Sequence, residues 1–352
     1  MTPEVSAIVV NHRSAAEAGL CVASLGRAFA EEGIPGEVVL VDCGSGSEEA
    51  QLLRAIPADR HVLLEENRGY SGGVNAGLAH ARAGSLLLAN ADVVFAAGAL
   101  TALLRAIGER ATGAAAPLSV WDSRARLRLP PGFAPGFFRD FAQLLSGRVP
   151  ALDDRRFASF ARSTLRLWER GGRVRHLSGA VLAARRDVFD AAGRFDESFP
   201  FEYEETEWED RVRSRGYDLV FVPAARVRHL WAVSASRNPE TGARRRTSER
   251  LYRRRRYGRA GHSLLERAAR APARAPAVTA IAEPRVAARS GAAVAISPNP
   301  SGIPFAAADL SEEFLLPDEV AAGLTPGPWY LTVFRTADGR PIERLAWVKA
   351  AG

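Results

Sequence analysis

Four short segments hold the side chains whose types and spacing could do chemistry. Residues 38–49, VVLVDCGSGSEE, end an apolar, β-branched run on Asp42 ahead of a Gly/Ser turn in which Gly44 and Gly46 let backbone come close. Open α/β sheets bind ligands at the carboxyl ends of their strands. Asp42 can there accept hydrogen bonds from a nucleobase or ribose, or it can cap its own turn. Residues 66–77, ENRGYSGGVNAG, crowd Gly69, Gly72, Gly73 and Gly77 at a strand-to-helix junction. Free amides at a helix N-terminus, with Arg68 beside them, suit a diphosphate, whereas Asn75 and Gly77 fit a helix face pressed onto a sheet equally well. Residues 86–95, LLLANADVVF, place Asn90 and Asp92 two positions apart, on one side of a strand. A carboxylate there can hold a divalent cation that also grips phosphates, because hard cations want oxygen and keep few protein ligands; the alternative is a strand cap. Residues 195–216, FDESFPFEYEETEWEDRVRSRG, gather Glu204, Glu205, Glu207, Glu209 and Asp210 at a helix start, and VRHLW follows at 227–231. Glu209 and Asp210 are expected to be solvated acids that complement the helix dipole. Glu204 and Glu205 precede the helix, where a base can face a cleft. His229, at a strand end, can join Asp92 in a metal site or play a structural part.

The elements that must position these residues follow from hydrophobic period. The first hundred residues alternate short β-branched runs with longer amphipathic ones, the pattern of βαβ units around a mostly parallel sheet. Strands are expected over 5–10, 38–42, 61–64 and 85–89, and helices over 14–30, 48–55 and 71–82, the first with Ser14 as N-cap and Glu17 three residues on. Residues 121–175 are irregular and rich in Arg, Pro and Phe, and are expected to place loops and one or two helices over the sheet's open edge. Regular elements resume with a strand over 177–184, helices over 186–192 and 205–215 stopped by Gly193 and Gly216, and a strand over 227–230. Residues 244–274 read as a basic terminal helix and 275–300 as an Ala/Pro-rich linker. Beyond it, 329–334 and 342–348 form a hairpin around Asp338-Gly339. Three segments result: a large α/β domain over 1–260, a helix end and linker over 261–299, and a small β-rich module over 300–352.

With 352 residues, 47% of them hydrophobic, the chain can bury a sizeable core. Its net charge of +7 concentrates in the stretch after Arg244, where Arg253–Arg256 is unbroken. Lys349 is the only lysine, so the arginines partly reflect a bias of the chain, and the run lacks a base-reading motif; nucleic acid is not expected as a partner. Cys21 and Cys43 have no spacing of a zinc site or disulfide framework, which fits a reduced cytoplasmic setting. No basic leader precedes the first apolar run, and no apolar stretch reaches membrane-spanning length. Membrane contact is therefore expected to be peripheral, at the inner face of the cell membrane.

In order, these segments resemble family 2 glycosyltransferases of the GT-A fold, in the branch of bacterial rhamnosyltransferases and related cell-envelope enzymes. The resemblance spans residues 4–260 and rests on six motifs, at 41–47, 67–77, 90–92, 193–197, 204–207 and His229. It implies an α/β GT-A domain, Rossmann-like, with a mostly parallel mixed sheet and helices on both faces, joined here to the β-rich module. Carried over by position, Asp42 would contact the nucleoside, and Val10, Asn11, Asn67, Arg68, Gly69, Gly73, Asn75, Asn90 and Ala91 would complete the nucleotide-sugar site. Asp92 would bind Mg2+ or Mn2+ bridging the diphosphate, with His229 helping to hold it, and Glu205 would be the base, with Glu204 as its rival. Cys43 stands where the family has Asn, Ala91 where Pro is common, and Glu205 and Glu207 replace aspartates.

The implied reaction is inverting transfer of a sugar, rhamnose or another hexose, from a nucleotide diphosphate donor to a saccharide or lipid-linked saccharide acceptor in cell-envelope polysaccharide synthesis. A carboxylate takes the acceptor hydroxyl's proton while the metal neutralises the leaving diphosphate. No carboxylate nucleophile for a double displacement is evident. Two other classes compete. A sugar-phosphate nucleotidyltransferase should carry a Gly-rich basic signature near its first strand, which VSAIVVNHRS lacks. An inactive carbohydrate-binding or scaffolding protein fits the Asp-to-Glu changes.

Overall fold

A computed structural model describes residues 2–132, 135–146, 149–230, 241–270 and 276–350. The chain forms two compact units, one from Met1–Ser119 with Gly171–Tyr252, the other from Val120–Arg170 with Arg253–Gly352.

The first unit is α/β. Its elements run β1 (Val5–Asn11), α1 (Ala15–Glu32), β2 (Gly36–Cys43), α2 (Ser47–Arg54), β3 (Arg60–Leu64), α3 (Gly69–His80), β4 (Ser85–Asn90), β5 (Val93–Phe95), α4 (Ala99–Gly108) and β6 (Thr112–Val120). The expected strands and crossover helices of the first hundred residues thus form to within a few residues. Strand β1 is buried along its whole length and lies parallel between β2 and β4, with β3 parallel to β2 outside it. Strand side chains alternate between faces, and the packing shows it. Val5, Ala7 and Val9 join α1 and α4 in one core, while Ile8 and Val10 face α3 on the other side. There a Cβ on Gly77 would lie 2.3 Å from Ile8 Cγ2, and one on Gly73 would lie 2.6 Å from Val10 Cγ1, so the glycines let α3 rest on the sheet. Ser14 takes the N-cap position of α1 without a side-chain cap; the Glu49 carboxylate accepts from Ala15 N at 2.7 Å instead.

After residue 170 the unit resumes with β7 (Gly172–Val174), β8 (Val181–Arg185), α7 (Arg186–Ala192), α8 (Glu204–Ser214) and β9 (Asp218–His229). The sheet order is β3-β2-β1-β4-β8-β6-β9-β5, with β7 on β9, and β8 runs antiparallel to β4. The final strand begins at Asp218, nine residues before the expected start, because its buried positions, Leu219, Phe221, Ala225 and Val227, keep to the strand period of two from that point on. Trp231, the end of the VRHLW segment, lies outside the described residues.

The second unit holds α5 (Phe137–Ser146), α6 (Pro150–Arg170), the second half of α9 (Thr241–Arg270), and β10 (Thr279–Ile281), β11 (Arg285–Val286), β12 (Ala292–Ser297), β13 (Ala306–Asp309), β14 (Phe314–Leu315), α10 (Asp318–Gly323), β15 (Gly327–Arg335) and β16 (Pro341–Lys349). Two expectations change here. The stretch read as a linker contains β12, buried at every residue and paired on both sides in the sheet β10-β16-β15-β12-β13. Its Ala-Ala-Val-Ala-Ile run carries no charge, which a solvated linker needs and a buried strand avoids. Residues 271–275, where the expected basic helix ends and the expected linker begins, lie outside the described residues. The irregular segment after Trp121 packs with these strands: Phe157 of α6 stacks among Phe305 and Phe334, with ring centroids 5.5 and 5.4 Å away. The hairpin of β15 and β16 forms as Asp338-Gly339 predicts, with Gly339 at φ 70. Among the described residues no helix is long and apolar enough to cross a membrane, and Cys21 and Cys43 are both free and buried.

Candidate active site

Strand order reverses at β1, since β2 and β3 lie on one side and β4 on the other. The carboxyl ends there are where such sheets take ligands. Register sets the edge: Asn11 pairs with Asp42, and Val10 with Asn90. The chain then turns, with Ala91 N donating to Val10 O at 3.2 Å, and brings Asp92 to the same edge. On the far side β5 meets β9 with Val93 opposite His229, and Leu230 N donates to Asp92 O at 2.9 Å. Backbone pairing therefore suffices to bring His229 Nε2 within 3.3 Å of Asp92 Oδ1. Burial of Asp92 disfavours its charge, but the His229 imidazole, by its field and its hydrogen bond, holds the carboxyl below the ordinary range.

The acids approach from α8. Glu202 and Tyr203 precede the helix at φ 59 and 71, a left-handed pair of non-glycine residues that turns the chain sharply into Glu204. Glu204 is buried and its Oε2 has no hydrogen-bond partner. Burial pushes it well above the ordinary carboxylate range, and Glu205 beside it adds to the effect. Glu205 is partly buried against Gly179, where a Cβ would lie 3.0 Å from Glu205 Cγ. Burial pushes its carboxyl up to about 7, with His176 opposing and Glu209 reinforcing the shift. Glu209 is a correction to the sequence reading. It is only 1% exposed, bonds to His176 Nδ1 and accepts from Leu177 N at 3.1 Å. One helical turn beyond Glu205, it falls on the same inward face of α8, which places it against the core and away from solvent. Asp210 is also engaged, accepting from Arg213 Nη1 at 2.9 Å and from the Tyr252 hydroxyl at 2.7 Å.

A cavity of about 350 Å³ unites these groups. Of the residues singled out in the sequence, Val10, Asn11, Asn67, Gly69, Asn90, Ala91, Asp92, Glu204, Glu205 and His229 line it. Four other expected residues do not. Asp42 turns inward, accepting from Asn11 Nδ2 at 2.9 Å and from Ser45 Oγ at 2.6 Å, so it fixes the turn and the Asn11 amide. Asn75 joins α3 to the FDE segment through Phe195 O, Phe195 N and Glu197. Arg68 pairs with Glu197 at 2.6 Å, and Gly73 is a packing contact. The cavity also holds residues that the motifs did not flag. His12 donates from Nδ1 to Cys43 O at 2.8 Å and lies 3.2 Å by Nε2 from the Asn67 amide, and Tyr70, Ser178, Phe201, Glu202, Thr241 and Arg244 are also part of the wall. His12 was legible in principle, as the residue directly after a strand that ends at the ligand edge. Arg244 was not, because only the fold carries the start of α9 there.

An oxygen and an imidazole nitrogen lining one cavity suit Mg2+ or Mn2+, which accept such a mixed pair and leave other positions for phosphate and water. No third His, Cys, Asp or Glu joins them among the described residues. Asp92 and His229 thus fit as a partial protein ligand set, completed by a ligand's own oxygens.

Residues 3–257, which hold this α/β sheet and its acid-and-imidazole edge, match the family described as Glycosyltransferase like family 2. The chain belongs to that family of glycosyltransferases. Two strains of Mycobacterium tuberculosis carry a relative, N-acetylglucosaminyl-diphospho-decaprenol L-rhamnosyltransferase, 30% identical over 225 residues that cover 58% of this chain and 70% of the relative. Solved structures that it resembles include GalNAc-T7 with UDP, GalNAc and Mn2+ (TM-score 0.46, 17% identity, 65% of this chain and 43% of that one). Another is the mannosyltransferase PcManGT from Pyrobaculum calidifontis in complex with GDP-Man and Mn2+ (TM-score 0.45, 16% identity, 78% of this chain and 77% of that one). The chain thus spans less than half the length of the first of these structures.

Proposed function

We propose that the chain transfers a sugar, with inversion, from a nucleotide diphosphate donor to a lipid-linked saccharide acceptor. Rhamnose is the favoured sugar and a lipid diphosphate the favoured acceptor anchor, on the strength of the mycobacterial relative's name. The observation that carries the reading is the meeting, in one cavity, of the Asp92 and His229 pair with the Glu204 and Glu205 pair.

The two acids divide the work. Glu204, more deeply buried and without a partner for Oε2, is pushed by burial toward its protonated form, in which it can donate a hydrogen bond. Glu205, poised near 7, is matched to accept the acceptor hydroxyl's proton at neutral pH. Asn11, held through its amide nitrogen by Asp42, leaves its carbonyl Oδ1 to accept from the donor, and Arg244 brings positive charge to the cavity wall. Mg2+ or Mn2+, when held by Asp92 and His229, would neutralise charge on the departing diphosphate. With Glu205 taking its proton, the acceptor hydroxyl oxygen bonds to the anomeric carbon as the bond from that carbon to the diphosphate oxygen breaks, a direct displacement that inverts the centre.

The test is a screen of nucleotide diphosphate sugars with Mg2+ or Mn2+, reading release of the nucleotide diphosphate and the mass of the product. Release from one donor, abolished by Asp92→Asn and Glu205→Gln, supports the reading. Absence of release or transfer with every donor, lipid-linked acceptors included, would refute it.

A further inference from the structure

We infer that the second unit carries a docking surface for an anionic lipid bilayer, formed by the exposed apolar face of α5, the start of α6 and the arginines of α9. The inference does not depend on the proposed transfer reaction. In α5, Phe138, Ala142 and Leu145 recur at i, i+4 and i+7 and so share one face. Phe138 is 84% exposed and Leu145 43%, and Val149 at 45% and Leu152 at 41%, at the start of α6, are exposed as well. An exposed Phe is costly in water, and four exposed large apolar side chains between residues 138 and 152 exceed the single exposed residues that every surface carries.

The opposite side of α5 is the one held to the protein. Asp140 is buried and accepts from Arg253 Nε at 3.2 Å and from the Tyr257 hydroxyl at 3.5 Å, and the Phe137 ring meets Tyr257 edge-on with centroids 5.8 Å apart. These contacts clamp α5 alongside α9. Beside the apolar face, α9 then exposes Arg254, Arg255, Arg256 and Arg259, and α5 itself exposes Arg139. Apolar and aromatic side chains on one face with arginines along the flank are the make-up of a helix that lies in a bilayer interface, its ring among the acyl chains and its cations among phosphates. The same arginines argue against a second copy of this chain, since two such faces brought together would oppose like charges.

The test is co-sedimentation of the full chain with vesicles of phosphatidylcholine, with and without phosphatidylglycerol. Binding is expected with phosphatidylglycerol only, weakening as salt rises. Phe138→Ser with Leu145→Ser should weaken it roughly tenfold. Arg254→Gln, Arg255→Gln and Arg259→Gln together should weaken it by roughly fivefold per arginine. Circular dichroism should show both variants folded, because all five side chains are exposed. A control that removes the same charge elsewhere, Arg27→Gln with Arg54→Gln and Arg60→Gln, should retain binding. The inference is overturned by any of four results: no binding to either vesicle; equal loss in the control; a Phe138 and Leu145 variant that binds undiminished; or a dimer of the unaltered chain in solution that this variant dissolves.

Discussion

Replacing Glu205 by Gln separates chemistry from folding, because the features that make it a base also make its charge expensive to bury. Its carboxyl sits at about 7 against an ordinary 4.5, first through burial and further through Glu209, with His176 opposing. A group whose folded value is raised binds its proton more tightly in the fold than in the unfolded chain. Its contribution is therefore neutral below about pH 4.5, turns destabilising as pH rises, and is fully unfavourable above about 7. The shift corresponds to about 3 kcal/mol, which partial exposure of Glu205 and its neighbours' adjustment reduce to about 1–2 kcal/mol. Glu205→Gln keeps the size and cannot ionise. The variant should match the unaltered chain in thermal melts near pH 4 and exceed it by a few °C above pH 7. Transfer should fall by roughly 10²-fold or more with donor affinity intact, and in the unaltered chain the acid limb of kcat should fall near 7. If the melting difference stays constant from pH 4 to 8, Glu205 titrates normally and the argument from burial is wrong. If the variant transfers at a normal rate while Glu204→Gln is dead, the base is Glu204.

Asp92→Asn should lose Mn2+-dependent affinity for a nucleoside diphosphate, read by calorimetric titration, while Glu205→Gln keeps it. Glu209→Ala strips a buried partner from His176 and should destabilise the chain by about 3 kcal/mol in urea melts; a solvated acid would cost about 0.5 kcal/mol or less. Gly77→Ala forces a Cβ to within 2.3 Å of Ile8 and should cost about 1–3 kcal/mol by the same measurement.

The first unit was legible because hydrophobic period and glycine placement act locally. Val5–Val10 and Val38–Asp42 announce buried parallel strands by unbroken β-branched runs, and Gly73 and Gly77 announce the helix that must touch them. The second unit was not. Its buried inner strand, Ala292–Ser297, has the small-residue composition of a linker, and only pairing with β13 on one side and with β15, which begins at Gly327, on the other makes it a strand. The same holds for residues 120–170, whose partners lie beyond residue 252.

At the site, legibility followed how each residue acts. Asp92, His229, Glu204 and Glu205 end or begin elements, so reading the elements was enough to bring them to one cavity. Asp42, Asn75 and Arg68 stand in equally specific motifs yet serve at one remove. Asp42 orients Asn11, Asn75 ties Phe195 and Glu197 to α3, and Arg68 balances the charge of Glu197. A motif records that a residue type is needed at a position, and a bond to a ligand and a bond to the residue that touches the ligand impose that need alike. Glu209 shows the converse: its place in an acidic run disguised a buried partner of His176, because a sequence displays the run of like charges while only packing displays the imidazole 33 residues away that one of them faces.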